Sequence, residues 1–229
     1  MRKINVIKGD MVFQWKYGFY LLYFILIVIY LSLFSYLSGS VRDTIVTICV
    51  YSDPAAMGMF FMGALILLEK SQRVINSLAV SPVNVGEYIL GKVISIGLIS
   101  LVVGLVLISQ GHTDSLLLSC IGIFAGSVLF SLCGILVGTK VDNVNQYIVA
   151  TLPFEIVGFV PVIFYRIGFL WDNLLMLLHP GCAVVRLIEG DRGTLFPALI
   201  SVLVWIIVLY QLALRATKRM FRTAGGVKL

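Results

Sequence analysis

Six stretches of this chain are apolar for about the 20 residues that a helix needs to cross the hydrocarbon core of a bilayer. They run over 19–37, 47–68, 93–109, 116–138, 147–164 and 196–214. Backbone at membrane depth must satisfy its own hydrogen bonds, which leaves helices or a closed barrel. The alternating ten-residue pattern of barrel strands is absent. The expected class is therefore an all-α membrane protein, a single transmembrane domain over 1–229 with six transmembrane helices. Composition agrees, with 60% hydrophobic and 12% charged residues where a soluble domain has about 45–50% and about 25%.

The run at 19–37 follows about 18 residues of different character and lacks a small-residue cleavage site, so it reads as a retained span and not a signal peptide. Cys49, Cys120, Cys133 and Cys182 show no paired spacing. They read as small packing residues, with no disulfide framework and no metal site.

Charge sets the orientation. Thirteen Lys and Arg fall before the first span, in the loops 69–92 and 139–146, and after the last span; four fall on the other side with most of the acids. The positive-inside rule then puts both termini in the cytoplasm, as in a multi-pass protein of a bacterial plasma (inner) membrane. Anionic membrane lipid accounts for the net charge of +6, and no nucleic acid partner is required.

Several segments outside the spans carry pattern. Over 1–17, Ile4, Ile7, Met11 and Trp15 recur at helical steps with Lys3, Lys8 and Asp10 elsewhere, as in an interfacial amphipathic helix. The outer segment 165–195 holds two apolar pieces split by His179-Pro180-Gly181. Both are too short to cross and suit a re-entrant helix pair before the last span. Gly190–Gly193 reads as an exposed turn, and 215–229 as a cytoplasmic tail. Gly122/Gly126, Ser127/Ser131 and Gly134/Gly138, each four apart, form small-residue faces for close helix packing, either within the subunit or against a second copy.

No phosphate-binding loop, zinc-helix motif or nucleophile elbow is present, so the chain carries no catalytic residues and no recognisable ATP site of its own. The ionisable groups of interest lie inside spans: Asp53 before Pro54, and Glu155 after Pro153. Carboxylates near mid-depth are costly and usually face a cavity or a partner. They mark a substrate path for a cationic or hydrogen-bonding cargo, bordered by the span-five aromatics Phe154 and Phe159, or else protonated carboxyls fixed to a neighbouring helix. A self-sufficient, proton-coupled secondary transporter using Asp53 and Glu155 is the alternative function; it predicts inverted sequence halves, and no convincing internal symmetry is seen.

The polar stretch 69–92 has internal order. Glu69 and Arg73 are four apart in the favourable order for a helical pair. Val74, Ile75 and Leu78 fall on one side of that helix; Lys70, Arg73 and Ser77 fall on the other. Ser81-Pro82 stops it.

This stretch resembles the cytoplasmic loop of ABC-2 type transporter permeases, the membrane subunits of one class of ATP-driven exporter. Glu69, Lys70, Ile75, Leu78, Val80, Ser81, Pro82, Glu87, Gly91 and Lys92 match the family pattern, while Ser71, Arg73 and Val74 depart from it. The resemblance extends to the layout of interfacial helix, six spans and outer re-entrant pair. It implies a second permease copy or paralogue and a separate cytoplasmic ABC ATPase that holds the ATP and Mg. It also implies that 69–82 is a coupling helix seated in a groove of that ATPase, with Glu69, Lys70, Arg73, Val74, Ile75, Leu78, Ser81 and Pro82 as the coupling residues. The cargo path would lie at the dimer interface, bordered by spans two and five. The exporter would move a small amphiphile, drug, peptide or lipid outward.

Overall fold

The computed structural model describes residues 2–55, 57–79, 83–168 and 174–224. Among them every regular element is helical, and five helices are long and apolar enough to cross a membrane, or six if one bent pair is a single span. The bent pair is α1 (Arg2–Lys16) and α2 (Phe19–Ser35), set at 67° to each other. Gly18, at φ 75°, makes the bend, a backbone geometry that glycine adopts without steric cost. α1 lies on a later span: Gln14 is buried and its Nε2 donates to Ser95 Oγ at 2.9 Å.

The second span is longer than expected and broken. α3 (Gly39–Val50) leads through a π turn (Tyr51–Ala55) into the helix α4 (Met57–Ser71), so the span covers 39–71 and not 47–68. Pro54 has no N–H for the helical ladder, and the ladder is rerouted there as a π turn. After α4 come α5 (Val74–Ala79) and α6 (Val85–Ile108), which begins eight residues before the apolar run. Glu87 accepts a hydrogen bond from the Asn84 N–H at 3.2 Å, satisfying one of the donors that every helix start leaves over.

α7 (Leu116–Gly138) is the central span, packed by α4, α6, α9 and α10. Its small residues make that possible. A Cβ on Gly122 would strike the backbone of Leu187 and Ile188, and one on Gly134 would strike Met59. Ser127 Oγ donates to Ser100 Oγ at 3.0 Å, and Ser119 Oγ to the Ile188 carbonyl at 2.6 Å. The small-residue faces thus serve packing within the subunit.

α8 (Val144–Arg166) follows, then a 3-10 turn (Leu174–Leu178), α9 (Pro180–Glu189) and α10 (Leu195–Ala224). The first of the two expected outer half-helices falls partly on 169–173, outside the described residues; its remainder is the 3-10 turn. The second half-helix starts at Pro180, where a missing N–H costs nothing, and ends at Gly190 in the left-handed region. The segment expected as a tail continues the last helix as far as it is described. α10 runs unbroken to Ala224, and Phe221 packs edge-on to Tyr88 at 5.2 Å, because Ala213, Thr217, Met220 and Phe221 recur on one buried face. Residues 225–229 lie outside the described residues.

Candidate functional site

The end of the bundle rich in Lys and Arg is built around a charge out of water. Lys92, near the start of α6, is 1% exposed. Its Nζ lies 2.6 Å from Glu69 Oε1 at the end of α4 and 3.1 Å from Asp10 Oδ1 on α1. Tyr88 Oη donates to Glu69 Oε2 at 2.7 Å. A buried charge is tolerable only when paired and hydrogen-bonded, so this cluster fixes α4, α6 and α1 in one arrangement.

Glu69 therefore does not pair with Arg73, and the single helix expected over 69–82 is corrected to two. α4 ends at Ser71; Arg73 stands at φ 58°; α5 is a separate short helix. Glu69 and Lys70 belong to the span. Lys70 Nζ donates to the carbonyls of Thr139 at 3.2 Å and Val141 at 2.7 Å and pairs with Asp142 at 3.4 Å, placing a cation at the negative end of α7. Gln72 Nε2 donates to Tyr17 Oη at 2.6 Å.

Within α5, Ile75 is 2% exposed and joins the main core, and α5 packs on α10. Val74 and Leu78 are half-buried, whereas Arg73, Asn76 and Ser77 face outward. Expecting Ile75 at a partner's surface was thus wrong in one respect: its side chain anchors the helix to its own bundle. Val80, Ser81 and Pro82 lie outside the described residues.

At mid-depth the structure chooses other residues than the acids. Tyr51, in the π turn, donates from Oη to the Gly158 carbonyl of α8 at 2.9 Å. Its ring meets Phe130 and Phe159 at 5.7 and 5.6 Å, and those two stack at 5.6 Å. Phe159 is hence a packing residue of this trio. A Cβ on Gly181 would fall 2.4 Å from Tyr51 Oη, so α9 approaches here only because that residue is glycine. Pro161 supplies no N–H to the Val157 carbonyl, and His179 Nε2 takes its place at 2.8 Å. A carbonyl only accepts, so that nitrogen carries the proton.

Asp53 Oδ2 and Glu155 Oε1 are both buried without a hydrogen-bond partner, and no bond joins the two residues. Phe154 points elsewhere. It lines a cavity of about 1040 Å³ at the Lys- and Arg-rich end, between α5, α7, α8 and α10, together with Lys70, Ile75 and Arg215. The tertiary structure thus gathers one path residue and two coupling residues around one space and leaves the other path residues apart. Tyr51 and His179 were missed from sequence. A tyrosine two residues before a span carboxylate is no signal by itself, but Pro161 announced an orphaned carbonyl that some donor had to meet.

No family model matches the chain, and no solved structure matches it. Two curated proteins do: the fluoroquinolones export permease proteins of Mycobacterium tuberculosis strains CDC 1551 / Oshkosh and ATCC 25618 / H37Rv. Each is 29% identical over 188 residues, covering 80% of this chain and 78% of the relative.

Proposed function

We infer that this chain, a permease of the ABC-2 type, is the membrane subunit of an ATP-driven exporter whose ATPase is a separate cytoplasmic protein seated on α5. One observation carries the reading: α5 is a short helix detached from both neighbouring spans, anchored inward by Ile75 and presenting Asn76 and Ser77 outward, with Arg73 outward in the turn before it. The similarity to two export permeases supports it.

A push on α5 has three rigid routes into the bundle. Ile75 passes it to the core against α10, Lys70 to the end of α7, and Glu69 through Lys92 to α6 and α1. Closure of two ATPases on ATP would in this way rock four helices together, while a second permease copy completes the path. Both termini would be cytoplasmic, in the plasma membrane of a bacterium. The cargo class is a small amphiphile, with fluoroquinolones the first compounds to assay because the relatives are named for them.

The test is to purify the tagged, full-length protein from its native host in mild detergent. An equimolar ATPase that is lost from the Asn76→Asp/Ser77→Asp variant supports the reading. A chain that comes alone under conditions preserving other complexes sinks it. The two orphaned carboxyl oxygens favour a second reading, proton-coupled transport through Asp53 and Glu155. Transport driven by a pH gradient without ATP, and abolished in Asp53→Asn or Glu155→Gln, would establish that instead.

A further inference from the structure

We propose that the cavity between α7, α8 and α10 holds the phosphate headgroup of an anionic membrane phospholipid, gripped by Arg215, Arg219 and Lys140. Four cations and one carboxylate line this space. Two of these are already engaged: Lys70 bonds two carbonyls, and Asp142 pairs with Lys70. Lys140, Arg215 and Arg219 remain, with no acidic partner among the described residues. The opposite end of the bundle behaves differently: Arg166 meets Glu189 at 2.8 Å and Arg186 meets Asp191 at 3.3 Å. What sets Lys140, Arg215 and Arg219 apart is that three cations without an acidic partner line one cavity, an arrangement that asks for an external anion.

Geometry narrows the anion to a lipid. Arg215 and Arg219 are four apart on one helix, so their guanidinium groups project from the same face one turn apart, suited to the oxygens of a single phosphate. Beneath them the wall turns apolar, through Leu136, Leu209, Leu212 and Phe154. Leu212 and Phe154 are exposed. α8 and α10 both pack on α7 and α9 but make no substantial contact with each other, so the space is open sideways between two spans. A free inorganic anion has no use for that apolar floor, whereas acyl chains entering from the bilayer do. At about 1040 Å³ the cavity is at the upper end of the roughly 300–1,000 Å³ of small-molecule sites.

The experiment places the full-length protein in nanodiscs of phosphatidylcholine containing a minor fraction of phosphatidylglycerol, and counts retained lipids by native mass spectrometry after detergent extraction. One phosphatidylglycerol per chain is expected to survive. Retention should fall about tenfold, the change for 1.4 kcal/mol, in Arg215→Gln/Arg219→Gln. It should persist in Lys218→Gln/Arg222→Gln, which removes the same charge from residues outside the cavity. Melting in pure phosphatidylcholine checks that both variants are folded, and Lys140→Gln gives a milder third variant if the first is not. Equal loss in both double variants would reduce the effect to diffuse charge attraction and overturn the site. So would a wild-type protein that retains no phosphatidylglycerol, or displacement of the lipid by inorganic phosphate at equal concentration.

Discussion

Lys92 Nζ and Glu69 Oε1 stand 2.6 Å apart in the protein interior, and this contact decides where the second span ends and the α5 elbow begins. With Glu69 committed to Lys92 and Tyr88, it cannot reach Arg73, and the chain turns away two residues after α4. The charge cluster thus fixes the end of α4 beside the α5 elbow.

Removing one member of the cluster should be costly. Lys92→Met is expected to destabilise the protein by about 3–5 kcal/mol, because it leaves Glu69 and Asp10 buried without their cation; Glu69→Gln should cost less, since Lys92 keeps Asp10. The triple variant Asp10→Asn/Glu69→Gln/Lys92→Met should recover much of that loss. Thermal unfolding of the detergent-purified proteins checks the non-additivity; simple additivity would mean the three groups act independently.

The elbow carries local strain. Arg73 has φ 58°, where a side chain costs roughly 1 kcal/mol relative to glycine. Arg73→Gly should melt at or slightly above the wild-type temperature, and Arg73→Val clearly below it. Since Arg73 is outward-facing, any loss of partner binding in Arg73→Gly would then report on its side chain and not on the fold.

Inward and outward residues of α5 should separate in one assay. Ile75→Asp places a charge in the core and should lower both yield and melting temperature. Asn76→Asp/Ser77→Asp should leave melting within about 0.5 kcal/mol of wild type, as for exposed substitutions generally, and alter only ATPase retention. Equal melting losses would deny the anchoring role of Ile75.

Two close approaches depend on glycine. A Cβ at Gly63 would fall within 2.0 Å of the Tyr147 ring, and one at Gly181 within 2.4 Å of Tyr51 Oη. Gly63→Ala and Gly181→Ala are each expected to cost about 1–3 kcal/mol, the range for overpacking. Tyr51→Phe removes one hydrogen bond and should cost about 1 kcal/mol. In the double variant Gly181→Ala/Tyr51→Phe, part of the Gly181 penalty should vanish, since the clashing oxygen is gone.

The sequence by itself determined the class and most of the spans. Apolar runs of bilayer length have only one local solution, and charge sorting along the chain is a property of composition. The stretch 116–138 became α7 at the same bounds, since nothing beyond its ends competes. The elbow also declared its place, through its polarity and the matching motif around Glu69 and Lys92.

What only the tertiary structure decided is which polar groups meet. Glu69 had a nearby partner on paper in Arg73, yet desolvation favours the distant Lys92, whose charge could not be buried alone. Phe154 and Phe159 look equivalent in sequence, but five residues along a helix turn one toward the cavity and the other into the Tyr51 trio. The tail became helix because Phe221 found Tyr88. Each of these outcomes depends on surfaces brought together from far apart in the chain, and one-dimensional periodicity carries no information about which faces those will be.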